Sequence, residues 1–342
     1  MITLNSLSDL TGFDEIIDAR APAEYAEDHL PGAVSMPVLD DAERARVGTI
    51  YKQESPFTAR KIGAALVARN VAAHIQAHLM DKPGGWRPLV YCWRGGQRSG
   101  SFALILSQIG WRVETISGGY KAWRKLVVEQ VHNQPVTAKV ILLDGNTGTA
   151  KTALLARLAA LGHQVIDLEG LANHRGSLFG GQGAQPSQKA FECALAMQLS
   201  RLDPARPLIL EAESAKVGNL RLPAPLWAAM RVAPRVEIAA PLAARAAWLT
   251  GAYADITADP ARLIQTLEHL RPWHARETIA DWQTLAEARD FPPLAEALMR
   301  DHYDPRYQKH RERSAPPALT LQTESLDAPA LDRLAAEFPR VL

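Results

Sequence analysis

Cysteine is nearly absent from this chain: Cys92 and Cys193 are the only two in 342 residues. That excludes a disulfide framework and a Cys-rich zinc site. The ten histidines are scattered without ligand spacing, so no metal cluster is expected. Net charge is missing too. The 38 Lys and Arg against 37 Asp and Glu leave +1, so any nucleic-acid partner has to be held by local patches rather than a global field. No apolar run reaches membrane-spanning length. The opening Met1-Ile2-Thr3-Leu4-Asn5 lacks the charged-then-apolar order of a signal peptide. The expectation is a soluble, cytoplasmic protein with no membrane partner. What is present is ordinary globular composition, 47% hydrophobic and 22% charged, in a chain long enough for two domains with separate cores.

The most informative stretch is Cys92-Trp93-Arg94-Gly95-Gly96-Gln97-Arg98-Ser99. It follows the apolar run Pro88-Leu89-Val90-Tyr91 and precedes a helical pattern carrying Phe102, Leu104, Ile105 and Ile109. A strand-end cysteine, a glycine pair and a helix start make an anion cradle, because the glycines let successive N–H groups point inward and the helix N-terminus adds partial positive charge. With Arg94 and Arg98 nearby, the Cys92 pKa should fall toward the nucleophilic thiolate.

Earlier in the chain, Glu15-Ile16-Ile17-Asp18-Ala19-Arg20 reads as a short strand and Pro22 opens a helical turn. His29-Leu30-Pro31-Gly32-Ala33 reads as a loop before the strand-like Val34-Ser35-Met36-Pro37. Val47 to Pro56 leads into a helix with Ile62, Leu66, Val67, Val71 and Ile75 at helical spacing. Tyr51 and Lys52 either reach a substrate or form a solvated turn. With the closing Gly118-Gly119-Tyr120-Lys121-Ala122-Trp123, the ordered set resembles a rhodanese domain over about 110 residues. One departure is that Arg98 lies six residues after Cys92, where most sulfurtransferase loops place the arginine five after. The resulting Cys-x5-Arg spacing is shared with cysteine phosphatases and widens the cradle for a phosphate-sized or larger anion.

The polar Val131 to Thr137, with Pro135, reads as a linker. The strand Lys139-Val140-Ile141-Leu142-Leu143 then runs into Asp144-Gly145-Asn146-Thr147-Gly148-Thr149-Ala150-Lys151-Thr152, and an amphipathic helix follows, stopped by Gly162. This is a P-loop pattern in the strand–loop–helix context it requires, with Ala150 in place of the second glycine. Its N–H groups would surround a diphosphate, Lys151 would neutralise it and Thr152 could hold Mg. Right-handed helical backbone is expected at Ala150 at little cost, with a closer limit on phosphate approach. Further strands end in Asp167 and Glu169, with His174 and Arg175 in the loop beyond, and in Glu211, with Glu213 just after. Alternation of strand and helix argues a parallel sheet with its site at the strands' carboxyl ends. Cys193 is expected as a small core residue. From about Pro241 the chain is helix-rich, with Trp248, Trp273 and Trp282 as expected packing anchors. Near the end, Arg306, Tyr307, Lys309, Arg311 and Arg313 either contact RNA phosphates and bases or form a solvated charged face.

The fold class expected is α/β. A rhodanese-like domain spans 1–130, a linker 131–137, and a P-loop NTPase-like parallel-sheet domain with a helical C-terminal extension 138–342. The whole chain resembles the tRNA 2-selenouridine synthase family through Tyr51-Lys52-Gln53, the Cys92 to Ser99 loop, Asp167 to Ser177, Leu210 to Ser214 and Tyr303-Asp304-Pro305-x-Tyr307. The resemblance implies a transferase that converts 2-thiouridine at the wobble position of tRNA to 2-selenouridine. Geranyl diphosphate first alkylates the sulfur, and selenium from selenophosphate then replaces the geranylthio group, with a selenophosphate-supplying enzyme as partner. Cys92, Arg94 and Arg98 would be catalytic, Gly95, Gly96, Gln97 and Ser99 would complete the cradle, and Gly145 to Thr152 with the acids, His174 and Arg175 would bind the second co-substrate. Whether the P-loop takes a nucleotide or the prenyl diphosphate, and whether Cys92 binds selenophosphate or carries selenium as a selenosulfide, stays open at this level. The rival readings are a Cys-x5-Arg phosphatase or sulfurtransferase with a regulatory P-loop module, and a non-enzymatic RNA-binding adaptor.

Overall fold

The structure is a computed structural model describing residues 1–177, 179–181, 183–311 and 315–339; Arg313 lies outside them, as does the side chain of Arg311. The chain forms two compact units, one of Met1–Gln134 with Pro186–Arg201, the other of Pro135–Gln185 with Leu202–Leu342.

In the first unit, β1 (Glu15–Asp18), β2 (Ala33–Ser35), β3 (Pro88–Tyr91) and β4 (Glu114–Thr115) form a parallel sheet in the order β2-β1-β3-β4. Every residue of β3 is buried, as its unbroken apolar run requires of a parallel strand covered on both faces. Helix α1 (Pro22–Glu27) begins at Pro22. Helix α2 (Asp41–Gln53) is started by a capping box in which Asp40 and Glu43 exchange bonds. Helix α3 (Pro56–His74) is capped by Ser55 with Pro56 in its first turn. Helix α4 (Gln97–Ile109) leaves the Cys92 loop, and α5 (Gly119–Val128) closes the domain. Gly119, at φ +56°, cannot carry a side chain, since a Cβ there would collide with the Cys92 carbonyl oxygen. Ile17, Val90, Phe102, Leu106 and Trp111 lie at the core.

The helix Gln188–Leu199 belongs to this unit, although its place in sequence falls inside the span 138–342 assigned above to the P-loop domain. The reason is its packing. Glu192 pairs with Arg124 and with His132, and the Trp123 indole N–H donates to the Cys193 sulfur at 3.3 Å. Cys193 is a buried core residue, as expected.

In the second unit, β5 (Val140–Gly145), β6 (Gln164–Ile166), β7 (Leu208–Glu211), β10 (Arg235–Ala239) and β11 (Leu319–Gln322) make a parallel sheet ordered β11-β10-β5-β7-β6; β8 (Lys216–Val217) and β9 (Leu220–Arg221) form a separate hairpin. Helix α6 (Lys151–Ala160) follows β5 through the P-loop. The connection from β5 goes toward β7 and β6, and the chain later returns to β10 on the other side of β5. That reversal makes the carboxyl end of β5 the switch point where ligands bind in such sheets. Ile141, Leu143, Leu154, Ile209 and Ile238 form the core around the sheet. A second cluster, with Leu263, Leu267, Ile279, Trp282 and Leu298, holds the C-terminal helices. Trp282 is buried and Trp248 packs against the sheet core, but Trp273 is 59% exposed and is no packing anchor. Its indole lies under the Arg306 guanidinium, 5.0 Å from the ring centre, so a cation covers it instead of a core. Among the described residues no helix is long and apolar enough to cross a membrane.

Candidate active sites

Cys92 stands at the carboxyl end of β3, and its side chain is almost wholly buried. The Ser99 hydroxyl donates to its sulfur at 3.1 Å. Burial alone would raise the thiol pKa, but the Ser99 hydroxyl and N–H, the Arg98 charge and the Gly96 N–H outweigh it and leave the value below that of an ordinary cysteine. The loop therefore does what the sequence predicts, with the N-terminus of α4 aimed at the sulfur. The Arg98 guanidinium is held by Glu24, at 2.7 and 3.4 Å, and Glu24 also pairs with Arg44 at 3.0 Å. Arg94 is exposed and makes no ion pair among the described residues. Beneath the loop is a buried polar frame. Asp18 pairs with Arg20 and accepts from the Tyr91 hydroxyl at 2.6 Å, while the Tyr120 hydroxyl donates to Asp28 at 2.7 Å. Glu24, which positions Arg98, is a part of the cradle that the motif alone did not reveal.

In the second unit the P-loop connects β5 to α6. Gly148, at φ +85°, is pressed against the Arg245 carbonyl oxygen and Leu249, each 3.0 Å from where a Cβ would sit. Ala150 overturns the expectation made for it. Its φ of 58° and ψ of 30° are left-handed, not right-handed helical. The loop shape demands the glycine conformation, and the alanine adopts it at a cost of about 1–2 kcal/mol. The Lys151 ammonium donates to the Gly145 carbonyl at 3.0 Å. Burial lowers its pKa, but Tyr307, Glu169, Glu213 and Asp144 more than offset this, and the lysine stays charged.

Acidic side chains gather on the same cradle. The Thr152 hydroxyl donates to Glu169 at 3.1 Å, and the Leu168 N–H donates to Glu211 at 3.2 Å. Burial, the charge of Glu169 and a hydrogen bond with it push the Glu213 carboxyl up to about 8, so Glu213 holds its proton at neutral pH. Burial and then Asp167 push Glu211 well above the carboxylate range. Gly176 sits against the carboxylates of Glu169 and Glu213, which brings the His174–Gly176 segment to them; the Gly176 N–H donates to His174 Nδ1 at 3.1 Å. Arg175 pairs with Asp255 at 3.0 Å and lies over the Tyr253 ring at 4.6 Å.

The C-terminal helices complete this site. Asp304 accepts from the Asn146 amide at 3.0 Å and from both terminal nitrogens of Arg245 at 2.9 and 2.7 Å, and Arg245 also donates to the Thr147 carbonyl at 3.2 Å. Arg245 is buried and is the only charged residue in the helix Leu242–Ala252. That lone charge in an apolar helix was the available signal for its role. The basic segment is divided: Tyr307 acts on Lys151, whereas Arg306 and Lys309 are exposed. From Thr147 of the P-loop a groove runs between Phe179, Leu249, Tyr253, Leu263 and Leu298, with about 580 Å³ of empty space, part of it continuous with solvent. Among the described residues no group of three or more His, Cys, Asp or Glu is placed to hold a metal.

A cysteine loop of rhodanese type and a P-loop with a bound-in lysine, each in its own α/β unit, place the chain in the transferase class. The comparisons agree. The model of the rhodanese-like domain matches residues 3–126, and that of the tRNA 2-selenouridine synthase AAA domain matches residues 138–281. The tRNA 2-selenouridine synthase of Ectopseudomonas mendocina is 34% identical, with 88% of each chain covered. That of Verminephrobacter eiseniae is 36% identical over 87% of this chain and 89% of its own, and that of Psychromonas ingrahamii 32% over 88% of each. The chain belongs to the tRNA 2-selenouridine synthase family.

Proposed function

We propose that this enzyme converts 2-thiouridine at the tRNA wobble position to 2-selenouridine in two steps divided between its two sites. At the P-loop, geranyl diphosphate alkylates the 2-thio sulfur. At the Cys92 loop, selenophosphate supplies the selenium that displaces the geranylthio group. The observation that carries the first step is the apolar groove opening from Thr147. A diphosphate held by Lys151 and the loop N–H groups would send its hydrocarbon tail into that groove. An allylic diphosphate ionises readily once its leaving group is neutralised, and Lys151 stays charged to do so. Magnesium, if bound, would rest on the hard oxygens of Thr152 and Glu169 with the diphosphate, as that ion prefers, and would add charge neutralisation. Exposed Arg306 and Lys309 would contribute phosphate contacts to the tRNA.

For the second step, the lowered Cys92 pKa and the N–H groups of Gly96 and Ser99 suit an anion carrying a soft chalcogen. The Arg98 guanidinium is engaged by Glu24, which favours this reading over a Cys-x5-Arg phosphatase, whose arginine must clasp the phosphoryl oxygens. Lys151→Ala should abolish S-geranylation of 2-thiouridine tRNA, and inorganic diphosphate should compete with the prenyl donor. ATP consumed in proportion to product would overturn the assignment of the P-loop.

A further inference from the structure

The tip of the hairpin formed by α2 and α3 supplies no side chain to either cradle, yet it is unlike the rest of the surface. Tyr51 is 54% and Phe57 64% exposed, and with Trp273 they are the only aromatics among the exposed large hydrophobic side chains described. Between Arg46 and Lys61 there are four cations, Arg46, Lys52, Arg60 and Lys61, and one acid, Glu54. All four cations are exposed, and none is in an ion pair among the described residues. At the base of the same hairpin the pattern reverses: Arg44 pairs with Glu24, and Arg69 with Glu43. Phe57, Arg60 and Lys61 share one face of α3, and the Lys61 ammonium lies 5.1 Å from the centre of the Phe57 ring.

The hairpin is also anchored at the cysteine loop. Glu24 holds both Arg98 of that loop and Arg44 in the first turns of α2. Seven residues separate Arg44 from Tyr51, a rise of about 10 Å along the helix. A base drawn out of its stack into the Cys92 loop would leave its neighbours beside α2.

We infer that the α2–α3 hairpin is an RNA-docking arm, on which Tyr51 and Phe57 stack unpaired bases flanking the modified one while Arg46, Lys52, Arg60 and Lys61 contact their phosphates. Exposed aromatic side chains interleaved with cations that form no ion pair among the described residues are what single-stranded RNA requires. Four cations against one acid between Arg46 and Lys61 also leave this tip strongly positive in a chain of near-zero net charge, which complements a polyanion. The inference rests on the reading that the enzyme acts on tRNA and specifies which surface receives it.

The test uses the full chain and two fluorescent RNAs, a synthetic anticodon stem-loop and the blunt duplex of its stem, followed by anisotropy. Tyr51→Ala and Phe57→Ala should each weaken stem-loop binding about fivefold or more. Tyr51→Phe should restore it, and duplex binding should not change. Replacing all four cations by glutamine should flatten the log–log salt dependence of stem-loop binding by about three units. Each variant is checked for an unchanged melting temperature, since all six side chains are exposed. If the wild-type chain binds the stem-loop and the folded variants bind it equally, with the same slope, the arm is refuted and the face is left to a protein or a second copy of this chain. If the wild-type chain binds neither RNA, the tRNA reading falls as well.

Discussion

Ser99→Ala isolates the largest of the interactions that lower the Cys92 pKa. The serine side chain is fully buried, and its hydroxyl donates to the sulfur at 3.1 Å. A hydrogen bond to a charged acceptor contributes about 1.5–3 kcal/mol, so its loss should cut the thiolate population at a given pH by about tenfold or more. Burial, which opposes the thiolate, is unchanged by the substitution, and the Ser99 and Gly96 N–H groups and Arg98 remain. The shift is therefore upward, but the thiol stays more acidic than it would be with burial alone. Absorbance at 240 nm during a pH titration reads the thiolate directly, with Cys92→Ser as the blank. The chain's other thiol is silent in that range, because burial and then Asp28 push Cys193 up to about 12. A Ser99→Ala titration that overlays the wild type would refute the claim that this hydroxyl sets the reactivity of the loop.

Ala150→Gly should leave stability within about 1 kcal/mol of wild type. Relief of the left-handed strain offsets both the looser unfolded chain and the lost methyl burial. Ala150→Val should cost about 2 kcal/mol or more, and urea midpoints distinguish the two; a heavy penalty for glycine would contradict the strain assigned to Ala150. Glu213→Gln tests the proton assigned to Glu213. With its folded pKa raised to about 8 from the model-compound 4.5, the native state holds a proton that the unfolded chain releases between those values. The stabilisation is therefore complete below about pH 4.5 and lost as pH rises through 8. The glutamine variant cannot ionise, so its unfolding free energy should gain on wild type between about pH 4.5 and 8 and level off above, with a slope approaching about 1.4 kcal/mol per pH unit. Parallel curves would refute the proton assigned to Glu213.

Both cradles were legible because each is a contiguous string whose glycines and charges fall at fixed spacing between a strand and a helix. Parallel strands β3 and β5 were legible as unbroken apolar runs. What the sequence hid is non-local. The groove draws residues from Thr147 to Tyr303, and no single segment carries its pattern. Asp304 and Arg245 meet across 59 residues, so the Tyr303-Asp304-Pro305 string could be noticed without its partner being named. The helix Gln188–Leu199 looks like any crossover helix of the second sheet until Glu192 is seen beside Arg124. Ala150 was misjudged because helix propensity describes an alanine free to choose its backbone, whereas the loop imposes one. Trp273 was misjudged because a tryptophan's size suggests burial, and a cation on its face serves instead.

The central claim is that the two chemical steps belong to different cradles, and Cys92→Ser tests it most directly. The substitution keeps the loop's shape while replacing a thiolate by a hydroxyl that is neutral at physiological pH. The variant is supplied with 2-thiouridine tRNA, geranyl diphosphate and selenophosphate, and the wobble nucleoside is read by mass spectrometry. The account predicts that geranylated 2-thiouridine accumulates and no 2-selenouridine forms. Full conversion to 2-selenouridine would contradict the role given to Cys92, and unmodified 2-thiouridine would contradict the separation of the two steps.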